Sequence, residues 1–261
     1  MTSKSLLIGL VAGFSLFSAC GTAAPPAATA PAASVPASTA PAGQGGGGDE
    51  LIGRMAAAQA AVKTYSMDMT MATAVMGEAA EITMEGKVDQ TDKDNVKMSM
   101  SMDFAGMQMK MLKVDGKTYI QMGLTGDKWM LAPDDQASQY DSTADQADLG
   151  GQLQKMKDSI TAIDKMGEET VDGVSTTHYR FTIDAAALKD LTGSEGTLEA
   201  DTFTYDVWVD QDALVRKVEM ELNAEVDGKS MPLRISGTMG NYNEPMAISA
   251  PEEDQIMEMP S

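Results

Sequence analysis

KMSMSMDFAGMQMKM, residues 97–111, places six methionines in fifteen positions. Met98, Met100 and Met102 sit at every second residue. The count then slips by one, and Met107, Met109 and Met111 resume the alternation. In an extended strand, side chains two apart point to the same face. A two-residue turn at Ala105-Gly106 reconciles the two halves. It sets Phe104 opposite Met107, Met102 opposite Met109 and Met100 opposite Met111, and directly opposed residues of an antiparallel pair share a face. The slip in parity is what a hairpin requires if both strands are to keep methionine on one side.

The same logic extends outward. Asp115-Gly116 is a favoured hairpin dipeptide and sets Met111 opposite Ile120 and Met109 opposite Met122. Gly126-Asp127 sets Leu124 opposite Trp129 and Met122 opposite Leu131. Upstream, Met67, Met69, Met71, Thr73 and Val75 alternate, and a turn at Gly77-Glu78 pairs Met76 with Ala79, Val75 with Ala80, Thr73 with Ile82 and Met71 with Met84. Later, Asp172-Gly173 and Asp227-Gly228 turn further hairpins, the second setting Leu222 opposite Leu233 and Met220 opposite Ile235. Tyr179, Phe181 and Ile183 alternate with His178, Arg180 and Thr182, so His178 is expected to face water. Phe203, Tyr205, Val207 and Val209 make another strand.

Helices are few. Leu51, Ile52, Met55, Gln59 and Val62 fall at helical spacing over about residues 50–64. Leu149, Leu153, Met156, Ile160 and Ile163 form a second apolar stripe. Asp184 can cap a short helix that ends at Gly193. Clustered strands with few helices indicate an α+β fold, and a single sheet of about ten strands must curl. Its one apolar face needs cover, and the helices are the candidates.

The chain has 261 residues, with 19 Lys and Arg against 39 Asp and Glu, a net charge of −20. Such a chain repels phosphate backbones, which excludes a general nucleic-acid binder. One cysteine and one histidine preclude an internal disulfide or a Cys/His zinc site. The acidic stretch 134–148 lacks calcium-loop spacing and is expected to be a solvated loop. There is no nucleophile elbow, phosphate-binding loop or dinucleotide fingerprint. No pair of carboxylates stands out, and neither cofactor nor metal is implied. The expectation is a protein that is not an enzyme.

Residues 1–19 read as an export signal: Lys4, an apolar run from Leu6 to Phe17, then Ser18 and Ala19. The small pair before Cys20 resembles a bacterial lipobox, with Phe17 where Leu is preferred. That resemblance implies cleavage before Cys20, acylation there, and a stable anchor on the outer face of the cell membrane. The bland alternative is an ordinary secretory signal that ends at a cysteine. Residues 20–49 are rich in Ala, Pro and Gly and cannot bury a core. At roughly 3 Å per residue, this tether reaches on the order of 80 Å. A folded domain is expected over 50–254, followed by a flexible acidic tail, 255–261.

The methionine face admits three readings. It can be a filled core, with Met as gap filler, in a surface lipoprotein acting in adhesion, sensing or envelope structure. It can line a cavity for an acyl chain, formed by Met67, Met69, Met71, Met84, Met100, Met102, Met109, Met111, Ile120, Met122, Met220 and Leu222. Flexible thioethers adapt to chains of variable shape, and each buried CH₂ contributes about 0.8 kcal/mol. Or it can bind Cu(I), since thioethers are soft ligands. The excess of Met over aromatic residues, 23 against 5 Phe and 6 Tyr, favours the cavity over a rigid core.

Several segments in order resemble the actinobacterial LppX/LprG group of lipoproteins, similar in fold to the LolA-type lipoprotein carriers. They are the lipobox and tether, DGKTYIQ (115–121) followed by Trp129, VDGVSTTHYRFTID (171–184), YDVWVDQDALVRKVEMEL (205–222) and NYNEPMAISAP (241–251). The likeness spans about residues 51–254. It implies a half-open antiparallel barrel, helices packed on its concave face, and an apolar cavity. It further implies an acylated lipid or glycolipid as partner, moved across the envelope with a transporter the sequence does not name.

Overall fold

Among the described residues, twelve strands follow one another through a single sheet whose two ends do not meet. A thirteenth, of two residues, lies off that path. The computed structural model describes residues 47–75, 78–123, 126–133, 149–185, 197–198, 201–226 and 229–257. The elements are α1 (Gly47–Ala60), β1 (Thr64–Val75), β2 (Glu78–Asp89), β3 (Lys97–Phe104), β4 (Met107–Val114), β5 (Lys117–Met122), β6 (Trp129–Leu131), α2 (Leu149–Met156), β7 (Ile160–Val171), β8 (Val174–Asp184), β9 (Thr197–Leu198), β10 (Thr202–Asp210), β11 (Val215–Val226), β12 (Lys229–Gly240) and β13 (Ile256–Met257). The order across the sheet is β13-β6-β5-β4-β3-β2-β1-β12-β11-β10-β8-β7, with β9 beside β11. Among the described residues every pairing is antiparallel except β13 with β6. This is the large, curved, unclosed sheet expected. The count of about ten falls short because β9 and β13 are only two residues long and the start of β7 was read as helix.

The hairpins at the centre follow their turn dipeptides. Phe104 opposes Met107, Met102 opposes Met109 and Met100 opposes Met111. Ala105 and Gly106 both have positive φ, 51° and 82°, as a type I′ turn requires. Asp103 Oδ1 accepts the Gly106 N–H at 3.0 Å and steadies the turn. Met111 opposes Ile120, Met109 opposes Met122, Leu222 opposes Leu233 and Met220 opposes Ile235, as expected.

Three expectations need correction. The β1–β2 register is two residues away from that set by a Gly77-Glu78 turn: Val75 opposes Glu78, Met71 opposes Ile82, and Met69 opposes Met84. A shift of two keeps every side chain on its face, so the apolar match could not distinguish the two registers. Between β5 and β6 the shift is three: Tyr119 opposes Leu131 and Ile120 opposes Met130. An odd shift reverses faces, so Trp129 joins Leu112, Val114, Tyr119, Ile248 and Ile256 on the opposite side of the sheet. Finally, α2 ends at Met156, and Ile160 and Ile163 lie in β7. A bulge there pairs Ile160 with Ile183, Ala162 with Thr182 and Ile163 with Phe181. The extra residue puts two isoleucines three apart on one face, which imitates helical spacing.

The core lies between the helices and one end of the apolar face. α1 opens with Asp49 and Glu50, favourable beside the positive end of its dipole. It buries Leu51, Ile52, Met55 and Ala56, and α2 adds Leu153, against Phe181, Ile183, Phe203, Val207, Val218 and Met239. Met55 and Phe181 have no exposed surface. Each such side chain contributes about 1.5–3 kcal/mol. The short helix expected after Asp184 and the acidic stretch 134–148 lie outside the described residues.

The C-terminal segment is ordered further than expected. Asn243 donates its N–H to Thr64 O at 2.8 Å and accepts from Lys63 N–H at 2.8 Å. Ile248 is buried against Leu112, Val114 and Tyr119, and Ile256 pairs with Trp129 in β13. The expected flexible tail from 255 therefore begins with a reciprocally capped turn and a strand. Its apolar Ile256 has an uncovered sheet edge to pair with. Residues 258–261 lie outside the description.

Candidate functional site

The register places all twelve of the expected lining residues on one face of the sheet. Met67, Met69 and Met71 come from β1, Met84 from β2, Met100 and Met102 from β3, Met109 and Met111 from β4, Ile120 and Met122 from β5, and Met220 and Leu222 from β11. Ile82, Phe104, Met107 and Ile235 share that face without having been assigned to the lining, although the hairpin parity already contained all four; Met130 and Met257 share it as well.

Five methionines form a ladder across the strands. Met69 opposes Met84, Met84 opposes Met102, Met102 opposes Met109, and Met109 opposes Met122. Neighbouring strands lie about 4.8 Å apart, so the ladder spans roughly 19 Å. At two points methionine fills a hole left by glycine. Met67 lies over Gly86, where an added Cβ would meet its Cε at 2.7 Å, and Met69 lies over Gly237, where the Cβ would meet its Cγ at 3.0 Å.

The face is covered unevenly. Met67 and Met220 pack against the helix-covered core. Met98 and Met111 are buried with Val62, Tyr65 and Val88, and Met100 packs against them. Toward the Ala105-Gly106 turn this cover ends. Met69, Met71, Met84 and Met102 are half-buried and belong to none of the described core clusters. Met107 is 61% exposed, Met109 36% and Met122 37%. The helices thus fill one half of the face and leave a thioether-lined surface on the other. Tyr205, on the covered half, has its phenol pushed up to about 12 by burial and stays neutral.

Around β7, β8 and β10 the opposite face is polar, and it contradicts one expectation. His178 points to that face, as its parity with Arg180 predicts, but it is buried. Its ring stacks on Trp208, centroids 4.1 Å apart. Nδ1 lies 3.2 Å from Glu169 Oε1 and Nε2 lies 2.9 Å from Asp206 Oδ1. Arg180 donates twice to Asp206, and Trp208 Nε1 donates to Glu169 at 2.8 Å. Side chains from β7 and β10 roof the histidine, which strand parity alone does not register. A depression of about 390 Å³ on this face is edged by Asp68, Thr70, Thr83, Glu85 and Glu219. Another, of about 380 Å³, lies beside the β7–β8 turn and includes Asp210 and Arg216. Both carry carboxylates, and the first also touches Met69 and Met84.

Among the described residues, no three His, Cys, Asp or Glu side chains are grouped to hold a metal, and no helix is long and apolar enough to cross a membrane.

Comparison with known proteins adds to this geometry. Residues 51–248 match the LppX_LprAFG lipoprotein family. The chain belongs to this family. Its fold is similar to that of LprF from Mycobacterium bovis (TM-score 0.55, 13% identity, 78% of this chain and 97% of that one). It is equally similar to lipoprotein LppX from Mycobacterium tuberculosis (TM-score 0.53, 15% identity, 78% and 98%). No curated protein sequence matches. The family match runs from α1 through the strands to Ile248, so the methionine ladder, the polar network and the start of the C-terminal strap all lie within the LppX_LprAFG domain.

Proposed function

We propose that this protein is an exported lipoprotein, anchored through Cys20 to the outer face of the cell membrane, that holds the acyl chain of a lipid or glycolipid for transport or presentation. The observation that carries this reading is the half-covered face: helices pack on one part, and the Met69–Met122 ladder is left open beside it. Membership of a lipoprotein family supports it. The ladder's length of roughly 19 Å also compares well with an acyl chain, which fills about 15 Å of a 30 Å hydrocarbon core. Affinity comes from apolar contact along the chain, so no catalytic group is needed. The carrier is not an enzyme.

A fluorescent acyl probe tests this. The protein should bind the probe, and Met109→Asp with Met122→Asp should weaken binding by roughly a hundredfold, since a carboxylate against hydrocarbon is strongly unfavourable. Unchanged affinity in the double variant would remove the site from this face. The second reading, a surface lipoprotein with a filled core, is favoured by the completely buried Met55 and Phe181, and it predicts no uptake by the native chain.

A further inference from the structure

We infer that Met107, Met109 and Met122 form an oxidation-sensitive rim through which peroxide-class oxidants switch off acyl-chain binding. The inference rests on the lipid-carrier reading and adds a regulation to it.

Exposure is graded along one methionine-rich face. Met107, Met109 and Met122 are 61%, 36% and 37% exposed, while Met111 and Met98 on the same face are 9% and 1% exposed, and Met55, on the covering helix α1, is 0% exposed. Met109 directly opposes Met122, and Met107 is the next same-face residue along β4. The three are therefore one patch at the uncovered end of the ladder. The reaction needs access of the oxidant to sulfur, which the patch offers and the covered half withholds.

The chemistry balances. A sulfur lone pair attacks the distal oxygen of a hydroperoxide, the O–O bond breaks, an S–O bond forms, and water or an alcohol leaves after proton transfer. Sulfur is oxidised by two electrons and the peroxide is reduced by two. The product exchanges a soft apolar contact for a strong hydrogen-bond acceptor. In the empty protein, water satisfies that acceptor. An acyl chain lying on the patch removes the water and supplies no donor, so the oxidised face disfavours its ligand specifically. Sulfoxide reductases of the two epimer classes reverse the change, which makes it a switch.

Met166 supplies an internal control. It is 49% exposed but sits on the edge strand β7, away from the ladder. The purified protein is treated with graded hydrogen peroxide, mapped by peptide mass spectrometry, and titrated with the acyl probe. Sulfoxide should appear at Met107, Met109, Met122 and Met166 well before Met55 or Met98. Probe affinity should fall roughly tenfold or more in step with the patch residues and return after reductase treatment. In Met107→Leu/Met109→Leu/Met122→Leu, whatever its starting affinity, the peroxide-dependent fall should vanish. In Met166→Leu it should persist. Early oxidation of Met55 or Met98 would overturn the assignment of the rim. Sulfoxide at the rim with undiminished affinity would overturn the switch alone. Absence of probe binding before any treatment would overturn the carrier reading, and the switch with it, while the oxidation map would still stand or fall on its own.

Discussion

Asp206 gathers three hydrogen bonds from the strand beside it. Its carboxylate accepts from Arg180 Nε and Nη2 at 2.9 and 3.0 Å and faces His178 Nε2 at 2.9 Å. Burial pushes its pKa up, but the Arg180 and His178 contacts outweigh burial and hold it below the usual 3.8. A carboxylate lowered in the folded state stabilises fully above its unfolded value, and that stabilisation is lost as pH falls through the folded one. Stability should therefore decline below about pH 4. Asp206→Asn should cost about 2 kcal/mol at pH 7, the middle of the range for hydrogen bonds to charged groups. Half-exposed Arg180 keeps the cost from rising further. It should also flatten the acid decline. Urea midpoints at pH 7 and pH 3 measure both effects, and an equally steep decline in the variant would contradict the assignment. Nothing in the strand pattern announced this network. Parity correctly put His178 on the polar face, but its burial comes from Trp208, thirty residues away, and from Glu169 across the β7 bulge.

At the scale of elements, the helix pair depends on one small residue. A Cβ on Gly150 would sit 2.9 Å from Ala56 O and 3.1 Å from Ala60 N, both backbone atoms of α1. Backbone cannot turn aside as a methionine end can, so Gly150→Ala should push α2 off α1 and cost about 1–3 kcal/mol. Thermal unfolding should register it, whereas a neutral or stabilising effect would mean the helices do not approach so closely. The strands were far more legible than this contact. Ala105-Gly106 and Asp115-Gly116 set the central meander because two-residue turns leave one register. Legibility failed where local pattern was ambiguous. An even shift at β1–β2 preserved faces, and a bulge at Ile160 copied helical spacing. The β5–β6 connection is longer than two residues. The strap through Ile248 was unreadable for another reason: its partners Leu112 and Tyr119 lie more than a hundred residues upstream.

Across the whole molecule, the sheet separates two jobs. One face carries the helix-packed core and the open methionine ladder. The other carries the polar network and, behind β4 and β5, the C-terminal strap. The twelve residues expected to line a cavity were readable as one face because alternation fixes side, but how much of that face the helices leave open depends on tertiary packing. The anchor is a separate matter. Cys20 lies outside the described residues, and Cys20→Ser should release the protein from membranes into the soluble fraction; retention would contradict lipidation there. Native mass spectrometry of the protein purified from its own envelope shows whether the open ladder holds an acyl chain. A bound species whose fragments include an acyl chain is expected, and it should be lost in Met109→Asp/Met122→Asp. A clean unliganded mass, in a protein that also takes up no acyl probe, would contradict acyl binding there.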